Sequence, residues 1–178
     1  MSDPIDVILR PRTEADLDAL YSIASDLGTW DERTPSMPAP LTRAAYEARL
    51  QQLDAGPDKA VSFVVAVGGE PVGSVSLFSF DDLARHAEVG IALLPEARGR
   101  GIGTAAIERI VEFAFVRCNL RRVHLQAIAS NLAAIRAYEK AGFVVEGRQR
   151  EHAWVRGRYE DIVVMGLLRS EWRASDAV

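Results

Sequence analysis

Three scarcities set the first limits on this sequence. It holds one cysteine, Cys118, and three histidines, His86, His124 and His152, among 178 residues. A single thiol closes no intrachain disulfide and builds no Cys-rich zinc site, which fits a reducing compartment. The histidines are dispersed along the chain, so no metal is expected. Long apolar runs are missing too, and nothing approaches the ~18 residues of a membrane span. The start, Met-Ser-Asp-Pro-Ile-Asp, carries acids where a secretory leader carries bases. A soluble, cytoplasmic protein without a membrane partner is the expectation. Positive charge is the third shortage: 21 Lys and Arg stand against 25 Asp and Glu, a net charge of −4. Such a chain offers nucleic acid little general attraction, and it shows no basic strand bearing aromatics.

What is present reads as one globular domain over residues 1–178, with 48% hydrophobic and 26% charged residues. Residues 174–178 read as a frayed tail. Pro35, Pro38 and Pro40 make residues 34–40 a loop within the domain. A strand is expected at 5–10, then a helix capped by Thr13, with Glu14 and Asp16 favouring its dipole and Leu17, Leu20, Tyr21 and Ala24 on one face. A second helix, capped by Thr42, turns Tyr46, Leu50 and Leu53 inward. Strands follow at 61–67, 72–80 and 87–94, the first two joined by Gly68-Gly69. A helix with Ile107, Ile110, Val111 and Ala114 on one face comes next, with Cys118 read as a small buried side chain near its end. Then come a strand at 122–129, a helix at 132–141 ended by Gly142, and strands at 143–154 and 159–168 around a turn at 155–158. This order implies a mixed sheet with helices packed against it.

The chemistry begins at Pro95-Glu96-Ala97-Arg98-Gly99-Arg100-Gly101-Ile102-Gly103-Thr104, which joins a strand to a helix. Three glycines let the backbone approach a ligand, and the free N–H groups and dipole of the helix start favour an anion such as a pyrophosphate. Arg98 and Arg100 would add charge. A flexible corner with no ligand reads equally well from this stretch alone. No Lys follows as a P-loop requires, and a dinucleotide site would need a third Gly where Thr104 stands and an acid where His124 stands.

The wider pattern resembles the GNAT superfamily of acyl-CoA-dependent N-acetyltransferases, and its RimJ/RimL and spermidine-acetyltransferase branch. The resemblance rests on Ala87-Glu88-Val89-Gly90-Ile91, on Leu94-Pro95-Glu96-Ala97-Arg98 and on Arg98-Gly99-Arg100-Gly101-Ile102-Gly103. It continues through Asn131-Leu132-Ala133-Ala134-Ile135-Arg136-Ala137-Tyr138-Glu139-Lys140-Ala141-Gly142-Phe143, Glu146-Gly147 and Gly157-Arg158-Tyr159-Glu160-Asp161. It implies an α/β (α+β) fold: a mixed, mostly antiparallel twisted sheet, helices on both faces, and a splayed strand pair that binds acetyl-CoA. Ile91, Ala92 and Leu93 would pair with the pantetheine amides as an added strand. The backbone from Arg98 through Gly99, Arg100, Gly101, Ile102 and Gly103 to Thr104 would hold the pyrophosphate. Asn131, Ala134, Tyr138 and Lys140 would complete the donor site, with Asn131 equally suited to cap the helix that follows.

Tyr138 shares a helix face with Asn131 and Ile135, and its phenol can protonate the departing thiolate. Its alternative role is core packing. Glu88 can take the proton of the attacking ammonium, or it can be an ordinary strand residue paired with Arg85; His152 or a water could serve instead. Acceptor binding would fall to Trp30, Asp31 and Glu32 in one segment and to His152 and Trp154, with Tyr159, in the other. Trp154 and Tyr159 could equally be a cross-strand packing pair. The reaction implied is transfer of acetyl from acetyl-CoA to a primary amine, a protein N-terminus or a small molecule, with no metal and no covalent enzyme intermediate. A homodimer stays open. A non-catalytic acyl-CoA-binding or sensor module on the same fold is the reading from another class, and it would not need Tyr138.

Overall fold

The computed structural model describes residues 5–32, 40–55 and 60–173. The loop expected at 34–40, apart from Pro40, and the tail expected at 174–178 lie outside them. The chain order is β1 (Val7–Arg10), α1 (Leu17–Ser25), α2 (Leu27–Trp30), α3 (Arg43–Ala55), β2 (Val61–Val67), β3 (Glu70–Asp81), β4 (His86–Leu93), α4 (Ile102–Glu112), β5 (Arg122–Ile128), α5 (Leu132–Lys140), β6 (Val144–Val155) and β7 (Arg158–Leu168). The strands form one seven-stranded sheet in the order β1-β2-β3-β4-β5-β7-β6. Every neighbouring pair is antiparallel except β4 and β5, which run parallel. This is the mixed, mostly antiparallel sheet expected from the sequence.

Strand alternation decides which face carries what. Ala87 and Val89 of β4, and Val123 and Leu125 of β5, are buried under α4, whose Ile102, Ala106, Ile107, Ile110 and Val111 fill the same core. The intervening residues, His86, Glu88, His124 and Gln126, point to the opposite face. That face is covered near β2, where Leu20 of α1 and Tyr46 of α3 pack on Val64. Leu53 departs from the expected inward stripe of α3: it is 49% exposed and faces an open cavity. Thr42 does cap α3, accepting from Ala45 N–H at 3.2 Å.

Several local features go beyond the pattern in the sequence. Asp16, expected only to favour a helix dipole, is 1% exposed and forms a hub. It accepts two 2.7 Å hydrogen bonds from Arg10, and one each from Thr13 N–H (2.7 Å) and Oγ1 (2.9 Å). The Arg10 guanidinium holds its carboxyl well below the usual carboxylate range. The short α2 also went unread, since four residues carry no periodicity; Asp26 caps it by accepting from Thr29 N–H. After α4 the chain widens into a π-helical turn, Phe113–Arg117. Cys118 follows that turn and is half-buried, with its thiol pushed up by burial. Gly142 ends α5 at φ +94°, as its sequence position implied.

Candidate active site

Strands β4 and β5 pair at only three positions, His86 with Arg122, Ala87 with Val123 and Glu88 with His124. Beyond Glu88, β4 continues against β3 alone and β5 against β7 alone, so the sheet opens like a wedge. A cavity of about 760 Å³ fills the wedge and runs to the start of α4 and along α5. Its size suits an extended organic ligand. Ile91, Ala92 and Leu93 line it from β4, and Asn131, Ala134, Tyr138 and Lys140 from α5. Gly73 keeps β3 tight behind it: a Cβ there would sit 2.4 Å from the Ala92 carbonyl oxygen.

At one end the loop before α4 carries Gly99 at φ +70° and Gly101 at φ +81°, conformations costly to any residue with a side chain. A Cβ at either would meet no atom within 4 Å, so the space beside the backbone is open to a ligand. Gly99, Gly101, Gly103 and Thr104 line the cavity. Arg100 is exposed and Ile102 is buried in the core, and neither lines it. Arg98 lines the cavity as well, but its guanidinium is engaged within the protein. Its guanidinium donates to the Leu93 carbonyl (3.0 and 3.2 Å), to Thr29 Oγ1 (3.0 Å) and to Glu32 (2.8 Å), so its charge is already matched. Arg136 was not anticipated, yet it lines the cavity one turn from Lys140. The i, i+4 spacing was the available signal.

Tyr138 is 7% exposed and stacks at a tilt on Phe143, with centroids 6.2 Å apart. Its hydroxyl makes no hydrogen bond with any described residue, and burial pushes it up to about 12. Asn131 faces the same cavity and also caps α5, accepting from Ala134 N–H at 3.1 Å. Glu88 stands where the strands part, half-buried and without an ion pair to any described residue. The pairing with Arg85 is not found, because Arg85 donates to the Asn119 carbonyl and Oδ1 instead. Burial raises the Glu88 carboxyl above its ordinary value.

Two histidines that look dispersed in sequence meet in space. His86 and His124 lie edge to face, 5.2 Å between centroids, on the same sheet face as Glu88. His86 Nδ1 is buried without a hydrogen-bond partner, and Asp81 lies 3.9 Å from its Nε2. Burial, then His86 and Arg122, hold the His124 imidazole below its ordinary value.

The expected acceptor residues largely fall elsewhere. Trp30 donates its indole N–H to the Ala24 carbonyl at 2.9 Å, and Asp31 pairs with Arg156 at 3.0 Å. Glu32 lines the cavity but is held by Arg98. His152 and Trp154 are exposed on β6 and do not line it. Trp154 instead packs edge to face on its register partner Tyr159, 4.8 Å between centroids, which is the cross-strand pair. In their place the cavity wall has Ser62, Ser74, Ser76 and Phe78 from β2 and β3, and Arg49 and Leu53 from α3. Ser74, Ser76 and Phe78 alternate with buried Val75 and Leu77, a pattern visible in the sequence once the inward face is known.

Comparison with known proteins places this geometry. The model of the acetyltransferase (GNAT) domain matches residues 6–144. The spermidine N(1)-acetyltransferase of Vibrio cholerae is 34% identical over 101 residues, 57% of this chain and 58% of that protein. The Bacillus subtilis protein YjcK, named as an N-acetyltransferase, is 35% identical over 129 residues, 71% of this chain and 68% of that protein. The matched stretches span about 57–60% of the first three curated relatives. Among solved structures, Vibrio cholerae spermidine N-acetyltransferase in complex with CoA and spermine superposes with a TM-score of 0.84 at 25% identity, over 93% of this chain and 96% of that one. The wedge in the sheet, the glycine loop at a helix start and the matched sequence agree: the chain belongs to the GNAT family of acetyltransferases.

Proposed function

We propose that the protein transfers an acetyl group from acetyl-CoA to a primary amine within the wedge between β4 and β5. One observation carries the reading: a carboxylate, Glu88, and a phenol, Tyr138, face one cavity with no partner among the described residues. Both groups open onto the cavity instead of being sealed in the core, so each is free to meet a ligand. Two unpaired groups of complementary proton affinity suit an acid and a base for one transfer.

The donor fits the site. The open backbone at Gly99 and Gly101 and the N–H groups starting α4 would hold its pyrophosphate, and the unpaired edge of Ile91–Leu93 its pantetheine arm. Arg136 and Lys140 would supply the charge first assigned to Arg98 and Arg100. Acetyl-CoA brings a thioester, whose acyl carbon accepts an amine directly. Glu88, half-buried at the point where the strands part, takes a proton from the acceptor ammonium so that its nitrogen lone pair is free. A C–N bond forms as the C–S bond breaks, Tyr138 gives its proton to the leaving sulfur, and the second proton of the newly bonded nitrogen passes to water to leave the neutral amide. Both groups are restored by exchange with water. A phenol held at about 12 stays protonated across the working pH range, which suits an acid that fires once per turnover.

A screen of acetyl-CoA turnover over amines and N-terminal peptides, with product masses, tests this. Expected is an acetylated amine and free CoA in equal amounts. Tight CoA binding without transfer to any amine would favour the non-catalytic binding module instead.

A further inference from the structure

Resting on the acetyl-transfer reading, the charges of the cavity narrow the acceptor. Its lining holds two acids, Glu32 and Glu88, and four bases, Arg49, Arg98, Arg136 and Lys140. Glu32 and Arg98 neutralise one another at 2.8 Å. Arg136 and Lys140 sit on α5, beside the donor residues Asn131 and Tyr138. Among the described residues, one charge of each sign is then left on the other side of the wedge, Glu88 and Arg49.

Their placement follows from periodicity. Tyr46 and Leu50 of α3 pack on Val64 of β2, and Arg49 and Leu53 continue that helix face. Ser62, two residues before Val64, lies on the same sheet face, hydrogen-bonded to Ser76 Oγ at 2.8 Å. Ser76 and Glu88 belong to neighbouring strands and share the face opposite α4. The acceptor side is thus a serine-floored groove with a desolvated carboxylate at its inner end and an arginine at its rim. Arg49 is exposed and forms no ion pair with any described residue.

We infer that the acceptor is a primary amine that also carries an anionic group, with Glu88 receiving the amine and Arg49 the anion. A diamine or polyamine fits poorly, because among the described residues its second ammonium would find Arg49 and no free carboxylate. Asp31 and Glu32 are already matched by Arg156 and Arg98, as Glu47 is by Arg43 and Asp54 by Arg12. Like charges rejected at a rim and opposite charges welcomed there are the ordinary source of such selectivity.

The test compares three probe series of matched length, ω-amino acids of two to six carbons, n-alkylamines and α,ω-diamines, together with spermidine. It uses the full chain, Arg49→Ala and Arg49→Glu. The best ω-amino acid should exceed the diamine of equal length about tenfold in kcat/KM, since Arg49 attracts the second group of one and repels that of the other. Arg49→Ala should remove that advantage and Arg49→Glu reverse it, with the Kd for CoA unchanged in both as the check on folding. Preference of the unaltered protein for diamines or spermidine overturns the inference, as does an amino-acid preference that survives Arg49→Glu. Absence of transfer to every amine, with CoA still bound, overturns the acetyl-transfer reading itself and this inference with it.

Discussion

Under the proposed function, the donor end of the cavity is built from one continuous stretch, residues 89–140, and relies on backbone: a strand edge, a glycine loop and a helix start. The acceptor end gathers single side chains from α2, α3, β2, β3 and β4, which lie far apart in the chain. Backbone recognition constrains a run of residues together and leaves an ordered motif. Recognition by scattered side chains leaves isolated residues that mean nothing until the fold brings them together. The same cavity can therefore be generic at one end and particular at the other.

The largest expected effect lies at the junction of the two ends. Glu88→Gln should lower kcat/KM by roughly 10²–10³-fold, the usual loss for a positioned base, and leave the Kd for CoA alone. Because burial raises the Glu88 carboxyl, the acid limb of the kcat/KM profile should lie above the ordinary carboxylate range in the unaltered protein and vanish in the variant. Stability should move the opposite way. A carboxyl whose folded pKa is raised is best accommodated at low pH and loses stability as pH rises through that value. Glu88→Gln should thus melt no lower than the parent at pH 7, with any gain shrinking at acid pH.

Next comes the donor loop. Gly101→Val forces a branched side chain to φ +81° and occupies open space beside the backbone. CoA binding followed by calorimetry should weaken by about 100-fold, with some loss of melting temperature from backbone strain of about 1–2 kcal/mol. Gly103→Val should weaken it less, since Gly103 is not in the left-handed region and the nearest atom to its Cβ would be Leu93 Cδ1 at 3.5 Å. Equal affinities in parent and Gly101→Val would remove the loop from the donor site.

Tyr138→Phe should cost about 10-fold to 100-fold in kcat, the low end of loss of an acid because a thiolate leaves readily. Its hydroxyl has no described partner, so melting temperature and CoA affinity should hold. Turnover within twofold of the parent would make Tyr138 a packing residue. The smallest effect should come from Glu32→Gln. Exposed ion pairs contribute about 0.2–1 kcal/mol, so freeing Arg98 should change both the acceptor KM and the CoA Kd by about fivefold at most. A change in the acceptor KM alone would assign the segment to one end, as the sequence had suggested.

The contrast between the two ends also explains what the sequence could and could not reveal. Strand and helix periods placed nearly every element, because Val64, Val75, Leu77, Ala87 and Ile107 each sit where a period of 2 or 3.6 requires. The donor loop was legible for the same reason: glycines, helix start and spacing are local facts. The ion pairs of Asp31 and Glu32 are illegible in sequence, because two adjacent acids look free until Arg156 and Arg98, distant in the chain, are seen to match them. Ser62, Arg49 and the meeting of His86 with His124 depend on strand register, which no short stretch encodes.

The parting of β4 from β5 has a second face. Two strand edges lie open inside the sheet, from Val89 onward on one side and from Leu125 onward on the other. Paired strands at the rim of a protein guard such edges with charge, proline or brevity, but Ile91, Ala92, Leu93, Leu125 and Ala127 offer none of these. The opening that admits a ligand is therefore also a template onto which another extended chain could zip. A ligand that filled the wedge with amide groups of its own would cover both open edges at once.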